Sequence, residues 1–317
     1  MGQNEILENK YKPFVKIIAY LPDTTRLIAS AGKSTLSPKN IDNILSEMDE
    51  ALVKEWLTEL IKRGHGSPME HSIYIYEVIC SRAASHQLVR HRIASYTQLS
   101  QRYSDKYLRG MIRRAANYLN KNIPLKPKSK DDYREYSKIL SEIVNTNIDF
   151  DELLDIVSEA FIIPPSIVRK QDKEFLAKLV ENTAKYYEML SQGIKPEDAR
   201  YILPQAVKTR LIVSMNAREL FESFLPLRMC SKAQWEIRYI AWNLWRLLAR
   251  IHGELFEYAG PRCILIDNRI REKPCRLRDY LDSRCKPVIT RCPELVDSNG
   301  ILNCLAYASK DPWESLI

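Results

Sequence analysis

An α+β fold, a small and mostly antiparallel sheet packed by long helices, is what this 317-residue sequence predicts. Three observations carry that expectation. Ile73 to Cys80 is a nearly continuous β-branched and aromatic run of strand length. Val207 to Met215 reads as a second strand. Phe175 to Leu190 and Ala233 to His252, by contrast, repeat their apolar residues at helical spacing. With no internal repeat and no low-complexity linker, the chain divides most simply into a single domain, 1–262, and an appended tail, 263–317.

In chain order, Ser37-Pro38 opens a helix in which Ile41, Ile44, Leu45, Met48, Leu52, Trp56, Leu60 and Ile61 share one face, and Gly64 supplies its stop. The strand ending at Cys80 leads into a helical stretch from Arg82 to Val89. The helix from Phe175 stops at Gly193, after which Pro196 with Glu197 and Asp198 starts a short helix that ends before Pro204. Asn216 with Glu219, and Ser231 with Gln234, are capping-box patterns. Two helices are therefore expected to begin there, with free backbone amides of the kind that bind anions.

At 45% hydrophobic residues the chain buries a sizeable core, yet no window approaches the 18 or so consecutive apolar residues of a spanning helix. Met1 to Lys12 has no apolar signal-peptide core, Ile6 stands where myristoylation requires Ser or Thr, and Leu316-Ile317 is no prenylation box. The expectation is a cytoplasmic protein without membrane span or lipid anchor. Lys and Arg number 48 against 40 Asp and Glu, and the net charge of +8 narrows partners only to anions: nucleic acid, nucleotides or other phosphorylated ligands. Of seven cysteines, Cys263, Cys275, Cys285, Cys292 and Cys304 crowd the tail, with no Cys-x-x-Cys pair and no nearby His. That spacing is poor for zinc, and it leaves disulfides and free thiols both open.

The segment richest in chemistry is RHRIASYTQLSQRY, Arg90 to Tyr103. If it is not helical, Arg90 and Arg92 point one way and His91 the other, because side chains alternate at period two. Arginine forks suit phosphate, and Gln98, Ser100 and Gln101 add the neutral donors and acceptors that read a base edge. Charge and interleaved tyrosines alone fit a nucleic-acid-binding patch equally well.

The same segment resembles the signature RHRxxSxxxxSxRY of flavin-dependent thymidylate synthases, with every fixed position filled. HGSPMEH, His65 to His71, resembles that family's HxTPFEH element, with Ser67 for Thr and Met69 for Phe. Asn216-Ala217-Arg218-Glu219 through LPLRMCSKAQWEI is similar to its NxRxL and LRxxxxAQWE pattern, with Lys232 where His is frequent. The resemblance covers Ile17 to about Cys263. The link from Asn216 to Arg228 is one residue longer than usual, and Gly110 to Ser166 reads as a peripheral insertion.

What the resemblance implies is reductive methylation of dUMP to dTMP with 5,10-methylenetetrahydrofolate as carbon donor and NADPH as reductant through FAD, by a homotetramer that shares its sites between subunits. It places Ser34, Ser67, Arg90, His91, Arg92, Asn216 and Arg218 at FAD, with His65 and Glu70 shaping that pocket and either Glu222 or Ser223 facing the flavin. Gln87, Arg90, Ser100, Gln101, Arg102, Arg200 and Arg228 fall around dUMP, and Gln98 lies near both ligands. Arg228 is the candidate for stabilising charge on the uracil ring. No Cys stands in a Pro-Cys context, which disfavours the thymidylate synthases that attack with a thiolate. The rival readings are a basic nucleic-acid-binding protein and a nucleotide-binding member of the fold that has lost catalysis. Neither nucleic acid nor a membrane is the expected partner.

Overall fold

The computed structural model describes residues 10–314. Residues 1–9 and 315–317, which carry most of the targeting and lipidation expectations, lie outside the described residues. Strands β1 (Phe14–Tyr20), β2 (Tyr74–Ser81), β3 (Ala94–Gln98) and β4 (Lys208–Met215) form one antiparallel sheet in the order β1-β2-β4-β3. The central pair runs in register from Tyr74 opposite Met215 to Ser81 opposite Lys208. Tyr74, Tyr76 and Val78 are buried with Leu211, Val213 and Met215, while Ile75, Ile79 and Ile212 stand on the other face. The α+β expectation holds; β2 buries one face fully, and on its other face Ile75 and Ile79, either side of Glu77, are half-buried.

Helices α1 (Thr24–Ser34), α2 (Ile41–Glu47) and α3 (Glu50–Arg63) connect β1 to β2. The single helix expected from Ser37-Pro38 is two. Asn40 caps α2, and the Asp49 side chain accepts from Leu52 N at 2.8 Å and starts α3 afresh. Gly64 stops α3 as expected, at φ 67°, a left-handed conformation that glycine adopts without penalty. After β2 comes α4 (Arg82–Leu88).

A second apolar cluster lies among α5 (Lys106–Tyr118), α6 (Lys130–Asn145), α7 (Phe150–Ser158), α8 (Pro165–Lys170) and α9 (Lys173–Ser191). The stretch 110–166 thus buries Ile139, Leu140, Ile143 and Val157 against Leu176, Val180 and Tyr187 of α9. Helix α10 (Pro196–Ala199) leads back to β4.

Beyond β4 the chain makes a π-helical run, Glu219–Phe224, then α11 (Leu225–Arg228), α12 (Trp235–Ile251), α13 (Gly253–Phe256), α14 (Arg262–Ile270), α15 (Leu277–Leu281) and α16 (Ser298–Ser309). The capping box expected at Ser231 is not used. Gln234 caps α12 instead, its side chain accepting from Glu236 N and Ile237 N, both at 3.1 Å.

The tail folds onto the main core, where Leu277, Tyr280, Ile301 and Leu305 are buried. Asp267, wholly buried, accepts from Tyr280 Oη at 2.5 Å, Arg271 Nε at 2.5 Å, Val288 N at 2.6 Å and Ile289 N at 3.0 Å. Burial alone would raise its pKa, and these four donors hold it below the usual carboxylate range. Cys275 and Cys285 form a disulfide, and the other five cysteines are free thiols. Near the end of the chain, Trp313 Nε1 donates to Ile163 O at 3.2 Å, its ring meets Trp235 edge-on at 5.2 Å, and neighbouring Asp311 pairs with Lys12 at 2.9 Å. Among the described residues no helix is long and apolar enough to cross a membrane, and no His, Cys, Asp and Glu group could hold a metal ion.

The disulfide closes a loop across a sequence separation of 10, for which chain entropy gives on the order of 2–3 kcal/mol. Thermal unfolding tests this: the Cys275→Ser/Cys285→Ser protein should melt below the wild type, the wild type should fall to the same level on reduction, and the variant should not respond to reductant.

Candidate functional site

The site is framed by α4, the segment that leads from it into β3, and the π-helical run after β4. Helix α4 forms where it does because Ser81 caps it, Oγ accepting from Ala84 N at 3.0 Å. That hydroxyl also donates to buried Glu236 at 2.6 Å, and Ser81 N donates to the same carboxylate at 2.7 Å. The chain then crosses Arg90-His91-Arg92 with the expected alternation: both arginines are exposed, while His91 is 4% exposed. Among the described residues neither Arg90 nor Arg92 has a side-chain partner.

His91 is the hinge of a buried relay. Arg228 donates from Nε to His91 Nε2 at 3.0 Å and from Nη2 to Gln87 O at 3.1 Å. A guanidinium only donates, so His91 Nε2 accepts and the ring proton sits on Nδ1. From there it is donated to Glu219 Oε1 at 3.0 Å, with Ser223 Oγ 3.3 Å away. Burial lowers the His91 pKa, the Glu219 carboxylate pulls it back up, and the Arg228 charge lowers it again; the net shift is downward. The imidazole is therefore neutral near pH 7. The ring that the resemblance assigns to the flavin is turned inward, with both nitrogens bonded within the chain.

Between Asn216 and Arg228 the chain takes a π-helical run, each turn of which holds one residue more than an α-helical turn. Asn216 opens the run with its Oδ1 accepting from Glu219 N at 2.8 Å, the cap its spacing predicts. Ser223 faces inward to His91. Glu222 faces out, taking Arg218 Nε at 3.0 Å and Arg269 Nη2 of the tail at 2.6 Å. Arg218 reaches on to Glu70. The exposed residues His65 and Ser67 flank Gly66, where a Cβ would stand 2.5 Å from Glu222 Oε2 and 2.8 Å from Arg218 Nε. A larger residue here would have to push the ion pair aside. Helix α1, which ends in exposed Ser34, packs on the same turn.

On the other side of α4, a cavity of about 270 Å³ gathers Gln101 and Arg200 with Arg82, His86 and Tyr201. Arg82 has its pKa lowered by burial and then by the Arg200 charge, the mark of two cations facing one space. Gln98 donates to Ser85 Oγ at 3.1 Å and Thr209 Oγ1 at 3.2 Å, locking β3 to α4. Ser100 Oγ accepts from Arg102 N at 3.2 Å, and Arg102 Nη2 lies 3.4 Å from Glu197. Arg82 and His86 were not singled out from sequence. Their spacing, one helical turn apart and just before the signature, is the signal that would have found them.

The family model described as thymidylate synthase complementing protein matches residues 16–253. The chain belongs to the flavin-dependent thymidylate synthase family. A flavin-dependent thymidylate synthase of Aeropyrum pernix is 44% identical over 303 residues, covering 93% of each chain. One of Sulfolobus acidocaldarius is 38% identical over 299 residues, covering 93% of this chain and 94% of that one. The crystal structure of flavin-dependent thymidylate synthase from Helicobacter pylori, complexed with FAD and dUMP, superposes with a TM-score of 0.56 at 25% identity over 78% of this chain and 99% of the other.

Removing the imidazole leaves the buried Glu219 carboxylate without its donor. His91→Leu should cost roughly 3 kcal/mol in chemical denaturation, against about 0.5 kcal/mol or less for exposed Arg92→Leu. Because the folded His91 pKa lies below its ordinary value of 6.5, the unfolded chain binds the extra proton. Wild-type stability should accordingly decline as pH falls below 6.5, with a slope that His91→Leu lacks.

Proposed function

We propose that this chain converts dUMP to dTMP, taking its carbon from 5,10-methylenetetrahydrofolate and its electrons from NADPH through FAD. The observation that carries the reading is the mounting of Arg228. His91 and the Gln87 carbonyl hold Nε and Nη2, and among the described residues Nη1 has no acceptor. Burial lowers the Arg228 pKa, yet a guanidinium stays protonated at any working pH. A fixed cation with one uncommitted edge suits the O4 side of uracil, where it favours the enolate-like ring and raises electron density at C5.

The neighbouring residues fit the two anionic ligands. The unpaired Arg90 and Arg92 suit the pyrophosphate of FAD, with Ser34, His65, Ser67, Glu70, Asn216 and Arg218 beside it and Gln98 toward both ligands. Bound there, the flavin supplies the hydride that completes the methyl group. Arg200 and Gln101, which share the cavity beside α4, fall around dUMP together with Gln87, Ser100 and Arg102, the arginines toward its phosphate, and Arg90 serves both ligands. His91 and Ser223 act by fixing Arg228. The charge that alone fitted a nucleic-acid surface thus lines a nucleotide site.

Assembly as a homotetramer, with sites shared between subunits, is supported by exposed Ile212 beside half-buried Ile75 and Ile79 on the outer face of the sheet and by the unpaired Arg90 and Arg92. A protein fed by dUMP, folate and NADPH belongs in the cytoplasm.

Purified protein mixed with FAD should show flavin absorption that NADPH bleaches, and should form dTMP. Protein that takes up no flavin at micromolar concentrations overturns the proposal. Arg228→Lys keeps the charge and loses the planar fork, so single-turnover dTMP formation at saturating dUMP should drop roughly a hundredfold or more while flavin reduction persists. A normal rate with only weaker dUMP affinity would make Arg228 a clamp.

A further inference from the structure

A second cavity, of about 220 Å³, opens on the far side of Gln101, which lines both spaces. Its walls are Arg102 and Tyr103 of the signature segment, Arg109 of α5, Lys126 of the α5–α6 connection, Tyr133 of α6 and Tyr186 of α9. The stretch 110–166 therefore reaches the candidate site, through Lys126 and Tyr133.

The charges in this space are unequal. Arg109 is answered by Asp105, Nε to Oδ1 at 2.7 Å. Arg102 meets Glu197 only at 3.4 Å between exposed groups, which water screens. Lys126 has no ion-pair partner among the described residues. Lys128 and Lys130 follow it at every second position, both exposed, and the Lys130 ammonium lies at the left-handed Gly193 turn, where a Cβ would stand 3.1 Å from it. The result is a pocket with tyrosine walls, edged by Lys126 and followed along the chain by two further exposed lysines, of which Lys128 lies near the Asp132 carboxylate.

We propose that this cavity and the lysines that follow it take the aminobenzoyl-oligoglutamate end of the folate cosubstrate, an inference that rests on the function proposed above. The carbon a folate delivers is bonded to the nitrogen that carries its aminobenzoyl ring, so that ring lies near the nucleotide with the glutamates extending away from it, and Gln101 is the wall the two spaces share. The aminobenzoyl ring suits the tyrosine faces. Each γ-linked glutamate adds one carboxylate at a regular interval, which a row of alternating lysines answers as point charges. A single phosphate would use one of them.

The test compares wild type with Lys126→Ala/Lys128→Ala/Lys130→Ala in the full-length flavoprotein. The wild type should have a lower KM for pentaglutamylated than for monoglutamylated 5,10-methylenetetrahydrofolate, and the triple variant should lose roughly tenfold of that preference, the scale of a few exposed ion contacts. Equal KM values for the two folates in the wild type, or a change in KM for NADPH in place of the folate ratio, overturns the assignment. Calorimetric titration with p-aminobenzoyl-pentaglutamate needs no turnover. Binding by the wild type that weakens in the triple variant and with added salt supports the site even if no dTMP forms, which would refute only the proposed reaction; absence of binding to the wild type refutes the site.

Discussion

The buried carboxylate of Glu236 joins three elements that the rest of the site depends on. At 2% exposure it accepts from both the N–H and the hydroxyl of Ser81, so the first turn of α12, the last residue of β2 and the cap of α4 meet at one point. Burial raises the Glu236 pKa, and the two Ser81 bonds only partly offset that. A carboxylate held in this way by neutral donors is costly, and such groups persist where they select one arrangement over near alternatives. What it selects here is the placement of α4 relative to α12. On that placement rests the approach of Gln87, within α4, and His91, just past it, to Arg228, which precedes α12.

Legibility in the sequence followed the range of the interactions. Strands β2 and β4 and helices α9 and α12 were readable because their apolar periodicity is long and uninterrupted. Strand β1 is not legible in the sequence: Lys16 interrupts its apolar run, and its register shifts between Ile17 and Ala19. Strand β3 hides inside the arginine-rich segment, where its pairing with β4 rather than its composition makes it a strand. One helix became two because the Asp49 side chain competes for backbone donors, a local effect that the apolar face of the pattern conceals.

The site shows the same division. The residues of Arg90 to Tyr103 stood out by type, but the inward role of His91 depends on Glu219 and Arg228, 128 and 137 positions further on. No local pattern encodes that. The same holds for Arg269, whose bond to Glu222 carries the tail into the ion-pair chain at Gly66, and for Cys275 and Cys285, which spacing alone could not pair among five crowded thiols. Polar groups at a site are conspicuous in a sequence, while the contacts that aim them are long-range.

The position of Trp313 bears on how the two apolar clusters come to be held together. Its indole bonds to Ile163, which belongs to the α5–α9 cluster, and packs on Trp235 at the start of α12, so one side chain spans both apolar clusters. Ile163 lies 150 positions before it in sequence, so this contact forms only when distant parts of the chain have come together. Until Trp313 docks, Ile163 O and the face of Trp235 stand open to water. Chaperone engagement, or premature association through those open surfaces, has its window before the clasp closes.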